Sequence, residues 1–282
     1  MKAFITPFLV IVLIVGFTNP PAGPKLLLRV DDIGMNHSVN LALKQIAATK
    51  MRVSASVMFA CPWYQEAVDI LKENPQIAVG VHLTLNSEWK HYRWGPILGR
   101  EAVPSLVDDV GYFHPSTKAF LASSYKPDEV EKELEAQIKR ALSTGLKIEY
   151  IDFHMRTALA TPELTDITIK LARKYNLKRS MFMGEKYKTM FDVSADKKKD
   201  EFLSYLKTGL DTKDVNIVII HAAQANPEMK ALVDMNNATQ RSDMGEPIVA
   251  MHREAELNML ISSETKKVIH DKEIQLVNYA DL

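Results

Sequence analysis

Two adjacent carboxylates and three histidines of this sequence stand where apolar, strand-like runs end. The carboxylates are Asp31 and Asp32, and the histidines are His82, His154 and His221. Two buried neighbouring carboxylates repel each other and lose their hydration, so an acid pair at the end of a strand indicates a positive partner. A divalent metal ion is such a partner. One carboxylate and two imidazoles form a typical catalytic metal site, because they leave coordination positions open for water.

Each of these residues also has an ordinary structural interpretation. A single histidine at a strand end is more often a hydrogen-bonded structural residue than a ligand, whereas three histidines and an acid pair on one face favour a site. Asp152, two residues before His154, is either a partner that orients a histidine ring or a plain strand-end acid. The roles of Arg156, His252 and Arg253 stay open at this point.

The segments around these residues predict a parallel α/β fold. Apolar, β-rich runs alternate with segments of helical periodicity over most of the chain. Parallel strands present their carboxyl ends to one face of the sheet, so side chains that are far apart in sequence meet there. Strands are predicted at 26–30, 53–60, 77–85, 148–154, 177–183, 215–221 and 273–279, and helices at 38–50, 62–74, 127–142, 161–175, 201–210, 248–260 and 263–270.

Two segments interrupt this alternation. The first, 86–125, is long and irregular, which is typical of functional loops. Its tryptophans Trp89 and Trp94 either stack on sugar rings as part of a lid or pack on the domain's own surface. The second segment, 186–200, is polar and rich in lysine, so we expect it to be a solvated excursion.

Composition narrows the class of protein. The chain has 35 basic and 35 acidic side chains, so there is no net charge to indicate a nucleic acid partner. A single cysteine, Cys61, excludes an intramolecular disulfide and a cysteine-based zinc site.

The N-terminal residues have the layout of a secretory signal. Lys2 precedes an apolar run at Phe8–Phe17 and a segment rich in chain breakers at Thr18–Pro24. The alternative is an uncleaved membrane anchor, although the run is shorter than the ~20 residues of a spanning helix. We therefore expect a signal peptide or N-terminal anchor at 1–24. The exported domain at 25–282 is then periplasmic or secreted and not itself bound to a membrane.

Several motifs, through their order and spacing, resemble the YdjC-like carbohydrate deacetylases, a family that includes the chitooligosaccharide deacetylases. The first motif is a strand that ends in two aspartates before a glycine, and the next two are strand ends that carry a histidine. The last is an arginine–glutamate helix followed by a serine-led helix and a final strand. These motifs correspond to Val30–Gly34, Gly80–Leu85, Ile151–His154, Arg253–Leu260, Ser262–Glu264 and Ile274–Tyr279.

The resemblance implies a (β/α) barrel-like fold with mostly parallel strands and the site at their C-terminal ends. It implies that Asp32, His82 and His154 hold one divalent metal ion and that Asp31 is the catalytic base. The implied reaction removes acetyl groups from N-acetylated saccharides, and His221 is the candidate that protonates the leaving amine. Mg²⁺ and Zn²⁺ are the foremost candidate ions, and Mn²⁺, Co²⁺ and Ni²⁺ also suit this ligand set.

The sequence departs from the family pattern at two places near the expected site. His154 is followed by Met155–Ala158, with no further histidine, and His221 is followed by two alanines rather than proline and glycine. Arg156 either contacts an anionic group of a different sugar or is a surface arginine. The alternatives are therefore a metal hydrolase acting on another amide or ester, and a degenerate carbohydrate-binding protein. The oligomeric state stays open, with a homodimer among the alternatives.

Overall fold

The computed structural model describes residues 23–236 and 248–282 of the chain. The signal peptide or anchor that the sequence predicts at 1–24 therefore falls almost entirely outside the described residues.

Eight parallel strands of the described residues form one barrel-like sheet, which confirms the predicted fold class. Neighbouring strands pair in the order β5, β4, β3, β2, β1, β7 and β6, and β8 pairs with the first residues of β1. The strands are β1 (Lys25–Ile33), β2 (Ser54–Val57), β3 (Ala78–Leu83), β4 (Ile148–Phe153), β5 (Lys178–Arg179), β6 (Lys186–Thr189), β7 (Asn216–Ile220) and β8 (Gln275–Val277).

Helices follow most of the strands and cover the outer face of the sheet through buried apolar stripes. Several begin at the side chains that the sequence marks as caps, such as Thr161, whose hydroxyl accepts a hydrogen bond from the Leu164 amide at 3.2 Å. The helices are α1 (His37–Ala48), α2 (Tyr64–Lys72), α3 (Thr117–Ala122), α4 (Pro127–Ser143), α5 (Pro162–Tyr175), α6 (Lys198–Thr208), α7 (Pro227–Lys230), α8 (Ile248–Ile261) and α9 (Ser263–Asp271).

The alternation of side chains along each strand separates two layers of the core. Leu26, Leu28 and Val30 of β1 belong to the larger cluster, which the helices cover, whereas Leu27 belongs to a small inner cluster with Tyr150. Because successive side chains of a strand point to opposite faces, this inner side also receives the odd-numbered residues that follow Leu27. The alternation thus directs the polar residues near the end of β1 towards the inside of the sheet.

Gly80 has a specific packing reason in the middle of β3. A Cβ atom at this position would lie 2.3 Å from the ring of Tyr150, so the neighbouring strand can carry a tyrosine only because residue 80 has no side chain.

The two interrupting segments differ from their sequence interpretations in different ways. The interpretation of 186–200 as a solvated excursion is wrong, because it contains β6 and the start of α6. The segment 86–125 is mostly irregular but well packed, with a short 3₁₀ turn at Pro104–Leu106 and α3. Trp89 and Trp94 in it are 3% and 5% exposed, so both pack within the domain.

None of the helices within residues 23–236 and 248–282 is long and apolar enough to cross a membrane.

Candidate metal centre and active site

Both aspartates at the end of β1 line one cavity, although neighbours in a strand normally point to opposite faces. The backbone explains this arrangement. Asp32 has a φ of 62°, in the left-handed region, and the pairing with β2 shifts its register between Val30 and Ile33. This turn of the chain brings the second carboxylate to the side that Asp31 already faces.

Asp32, His82 and His154 converge at the carboxyl ends of β1, β3 and β4. The Oδ1 atom of Asp32 lies 3.3 Å from Nε2 of His82 and 3.2 Å from Nδ1 of His154. The two imidazole nitrogens are 3.3 Å apart. Three donor atoms from separate strands therefore form a nearly equilateral triangle, and all three residues are buried.

This triangle suits a divalent metal ion. Bonds of about 2.0–2.2 Å from one ion place neighbouring tetrahedral donors about 3.3–3.6 Å apart, close to the separations observed. The Oδ1 atom of Asp32 is buried and faces the two imidazole nitrogens without a well-formed hydrogen bond to either. A buried carboxylate oxygen that lacks a well-formed hydrogen bond is costly unless a cation binds it, so the donor set and its surroundings fit the ion that the family resemblance implies.

Each imidazole is oriented by a second carboxylate on its far side. Nδ1 of His82 lies 3.0 Å from Oδ2 of Asp152, and Nε2 of His154 lies 3.0 Å from Oε2 of Glu88. These contacts turn the remaining ring nitrogens towards Asp32, an arrangement common at metal-ligating histidines. Of the two interpretations of Asp152, the geometry matches the partner that orients a histidine ring.

The charges around the triangle shift the pKa values of its members. Burial lowers the pKa of His82, but Asp152 and the other nearby carboxylates outweigh burial and raise it to about 10. Burial also lowers the pKa of His154, and Glu88 and Asp32 raise it to a net value of about 9. For Asp32, burial raises the pKa, but the Arg253 guanidinium and the two imidazoles hold it well below the ordinary value. A cation bound between the three side chains would compete with protons for the same imidazole nitrogens.

Asp31, the predicted base, is held by Arg29 from the same strand. The guanidinium donates to both carboxylate oxygens of Asp31 at 2.7 Å, and its Nε lies 3.1 Å from Oδ2 of Asp152. All three side chains are buried. A bidentate pair of this kind fixes the plane of the carboxylate, so Asp31 is presented to the cavity in one orientation.

Arg253, whose role the sequence left open, contacts Asp32 directly. Its NH2 group donates to Oδ2 of Asp32 at 2.6 Å, which leaves Oδ1 for the imidazole side. The guanidinium lies against the ring of Trp89, 5.5 Å from the ring centroid. Arg253 therefore supports one oxygen of Asp32 directly, and Trp89 is the surface on which the arginine rests rather than an open stacking platform.

His221 follows β7 and lines the cavity, but it is not part of the triangle. Its backbone amide donates to Oε2 of Glu256 at 2.6 Å, and Oε1 of Glu256 pairs with the buried Lys198 at 2.6 Å. This ion pair between α8 and α6 fixes the end of β7. The imidazole of His221 is partly exposed in the cavity and has no hydrogen-bond partner within the described part of the chain.

The cavity in front of these residues has a volume of about 470 Å³, within the range of about 300–1,000 Å³ that is usual for small-molecule sites. Its polar end carries Asp31, Asp32, His82 and His154. Arg156 and His252 also line it, and Arg156 is exposed.

Two residues of this site, Arg29 and Glu88, were not identified from the sequence. The sequence did contain an indication of the role of Arg29, because a charged residue inside the apolar run 26–30 requires a buried partner. No sequence pattern indicated the role of Glu88, because it lies in an irregular segment whose path no periodicity defines.

A parallel, barrel-like sheet with a buried Asp–His–His cluster at its carboxyl ends defines a barrel-type α/β protein with a candidate metal centre. The chain belongs to the YdjC-like protein family, whose model matches residues 25–271. The family resemblance seen in the motifs is therefore confirmed.

Relatives and a solved structure align over nearly their whole length. A protein named carbohydrate deacetylase from Brevibacillus brevis is 29% identical over 266 residues, covering 92% of this chain and 99% of the relative. One with the same name from Enterococcus faecalis is 28% identical over 269 residues, covering 92% and 98%. The crystal structure of an Enterococcus faecalis protein, described as a candidate cellobiose-phosphate cleavage protein, has a TM-score of 0.71 and 26% identity, covering 92% of this chain and 99% of that one.

Proposed function

We propose that this protein is a metal-dependent carbohydrate deacetylase that removes acetyl groups from N-acetylated mono- or oligosaccharides. The observation that carries the proposal is the triangle of Asp32, His82 and His154 at one end of an open cavity. The names of the full-length relatives support the substrate class and the reaction.

The ion would be held by Asp32, His82 and His154, and Mg²⁺ or Zn²⁺ is the first choice for this ligand set. It would supply Lewis acidity and lower the pKa of water at neutral pH. Asp152 and Glu88 keep the two imidazoles in the orientation that binding requires.

In the proposed reaction Asp31 is the general base. Its carboxylate, fixed by Arg29, takes a proton from the water that attacks the acetamide carbonyl. His221, which follows β7 and lines the same cavity, gives a proton to the nitrogen of the leaving amine. Glu256 supports this role by anchoring the backbone of His221 at the end of β7.

Asp31→Asn separates an enzyme from a degenerate binding protein. We expect this variant to retain bound metal and sugar binding and to lose acetate release by about 10²–10⁴-fold, the usual contribution of a general base. Asp166→Asn, on the exposed face of α5, is the matched control and should behave like the wild type. If wild type and Asp31→Asn bind sugar equally and neither releases acetate from any N-acetylated sugar, the proposed activity is wrong.

We further infer that residues 1–24 direct export of the domain at 25–282. Fractionation of cells that express the full chain, with N-terminal sequencing of the product, tests this. A chain that starts at residue 1 in the cytoplasm would contradict it.

A further inference from the structure

A second part of the cavity has a different chemical character from the metal centre. Tyr187 on β6 and Phe191 just after it line the cavity wall with 46% and 52% of their surface exposed. Met155, directly after His154, lines the cavity too and is 38% exposed. Single exposed apolar residues are common on protein surfaces, but several large ones facing one cavity indicate a binding surface.

The backbone on this side of the cavity is strained. Met155, Arg156 and Met181 line the cavity, and their φ angles are 50°, 58° and 71°. Residues other than glycine, asparagine and aspartate rarely adopt this left-handed backbone conformation. The methionine side chain has no polar group that could stabilise it through a local hydrogen bond. Backbone strain of this kind is concentrated at functional sites, so these three residues are candidates for a role at the cavity.

The chemistry of this wall suits a sugar ring. A pyranose has an apolar face of C–H groups and a rim of hydroxyl groups. The rings of Tyr187 and Phe191 offer exposed aromatic faces, and the Tyr187 hydroxyl and the Arg156 guanidinium supply polar groups on the same cavity. Sugar hydroxyl groups can form hydrogen bonds with these polar groups and a purely aliphatic chain cannot, so the wall favours a sugar over a lipid-like group.

The wall is also continuous with the candidate metal centre. One cavity of about 470 Å³ is lined both by Asp32 and His82 and by Tyr187 and Phe191. A ligand whose acetamide group reaches the metal centre can therefore extend along the aromatic wall.

We propose that Tyr187 and Phe191 bind the sugar residue attached to the one that loses its acetyl group. Preferred substrates then contain at least two sugar rings. This inference rests on the proposed deacetylase function, and it identifies the residues that determine the length of the substrate.

The test compares Tyr187→Ala and Phe191→Ala with the wild type on three substrates. These are N-acetylglucosamine, its β-1,4-linked disaccharide and its octyl glycoside. We expect each variant to lower kcat/KM for the disaccharide up to about tenfold, mainly by raising KM. The loss of one aromatic contact weakens affinity by about two- to tenfold. The value for the monosaccharide should stay within about twofold. Tyr112→Ala removes a similarly exposed aromatic residue outside this cavity and is the matched control.

A binding measurement separates this inference from the proposed reaction. Calorimetric titration of the disaccharide into metal-chelated protein should show about tenfold weaker binding in both cavity variants and no change in Tyr112→Ala. If no sugar releases acetate but this binding pattern is found, the proposed reaction fails and the sugar subsite stands. If neither variant weakens disaccharide binding, or if both substrates lose kcat/KM equally, the subsite is wrong. If Phe191→Ala lowers kcat/KM for the octyl glycoside as much as for the disaccharide, the wall binds an apolar group and the proposed preference for a sugar is wrong.

Discussion

At the scale of single residues, Arg29 links several polar side chains of the site. It contacts Asp31 through two hydrogen bonds, lies 3.1 Å from Asp152 and donates to Ser180. One guanidinium therefore balances two buried carboxylates, of which Asp152 also contacts Nδ1 of His82. Because Asp152 contacts His82, Arg29 also helps to fix the orientation of the His82 ring.

We expect Arg29→Met to lower the free energy of unfolding by about 3–5 kcal/mol, because it leaves buried carboxylates without their cation. The matched control is Arg52→Met, since Arg52 pairs with Asp281 at the surface and such pairs contribute only about 0–1 kcal/mol. Urea unfolding of metal-chelated protein measures both values. Equal losses in the two variants would show that the charge balance around Arg29 is not needed for stability.

Sequence reasoning at this scale succeeded where a residue type was unusual in its surroundings. The acid pair Asp31 and Asp32 and the histidines His82 and His154 are polar groups at the ends of buried runs, so a common site could be inferred before any contact was known. The contacts of Arg253 could not be inferred, because it comes from α8, more than 200 residues after Asp32. Side-chain contacts across that separation depend on how the helix packs, which periodicity alone does not define.

At the scale of elements, α4 holds the irregular segment that carries Glu88. Glu133 accepts hydrogen bonds from the amides of Ile97 at 3.0 Å and Leu98 at 3.1 Å. Gln137 exchanges two hydrogen bonds with the backbone of Thr84, at 2.8 Å each. The segment and Thr84 just before it thus obtain from helix side chains the backbone partners that a strand would obtain from its neighbour.

We expect Glu133→Ala to accelerate amide hydrogen exchange at Ile97 and Leu98 by about two- to tenfold, because each amide loses a hydrogen bond that contributes about 0.5–1.5 kcal/mol. Glu131→Ala on the same helix should leave these two amides unchanged, since Glu131 instead pairs with Lys170. Unchanged exchange in Glu133→Ala would mean that the segment is held by its own packing.

The contact between α4 and α5 should depend on pH. Hydrogen bonds from Lys174 and then Tyr175 lower the pKa of Glu135 from 4.5 to about 2. A carboxyl group whose pKa is lower in the folded state stabilises the fold above pH 4.5, and this contribution is lost as the pH falls towards 2.

Glu135→Gln should therefore lower the free energy of unfolding by about 1 kcal/mol at pH 7, allowing for solvent screening. The difference from wild type should shrink as the pH falls from 4.5 towards 2. Thermal or urea unfolding over this range measures it, and a difference that is constant with pH would exclude the ionic origin.

The element that the sequence analysis missed shows the limit of pattern reasoning. β6 has the sequence Lys-Tyr-Lys-Thr, lies at the end of the strand order and, among the described strands, pairs with β7 alone. Polar, lysine-containing edge strands avoid aggregation, but for the same reason they resemble loops in sequence. The buried strands β1, β3, β4 and β7 were predicted correctly because burial on both faces requires continuous apolar runs.

At the scale of the whole molecule, strand direction accounts for the site. β1, β3, β4 and β7 are parallel, so their carboxyl ends bring Asp32, His82, His154 and His221 to one cavity. This convergence was predictable from strand ends alone. The order of the strands was not predictable from the sequence. β7 lies on the other side of β1 from β3, so His221 lies outside the triangle that includes His82.

The most direct test of the account is to measure metal content and acetate release together, in wild type and His82→Ala. His270→Ala is the matched control, since that side chain is 88% exposed on α9. We predict about one divalent ion per chain in the wild type and in His270→Ala, with acetate release from N-acetylated sugars. His82→Ala should lose both. Bound metal retained in His82→Ala, or no metal in any of the three proteins, would contradict the assignment of the Asp32–His82–His154 triangle as a metal centre.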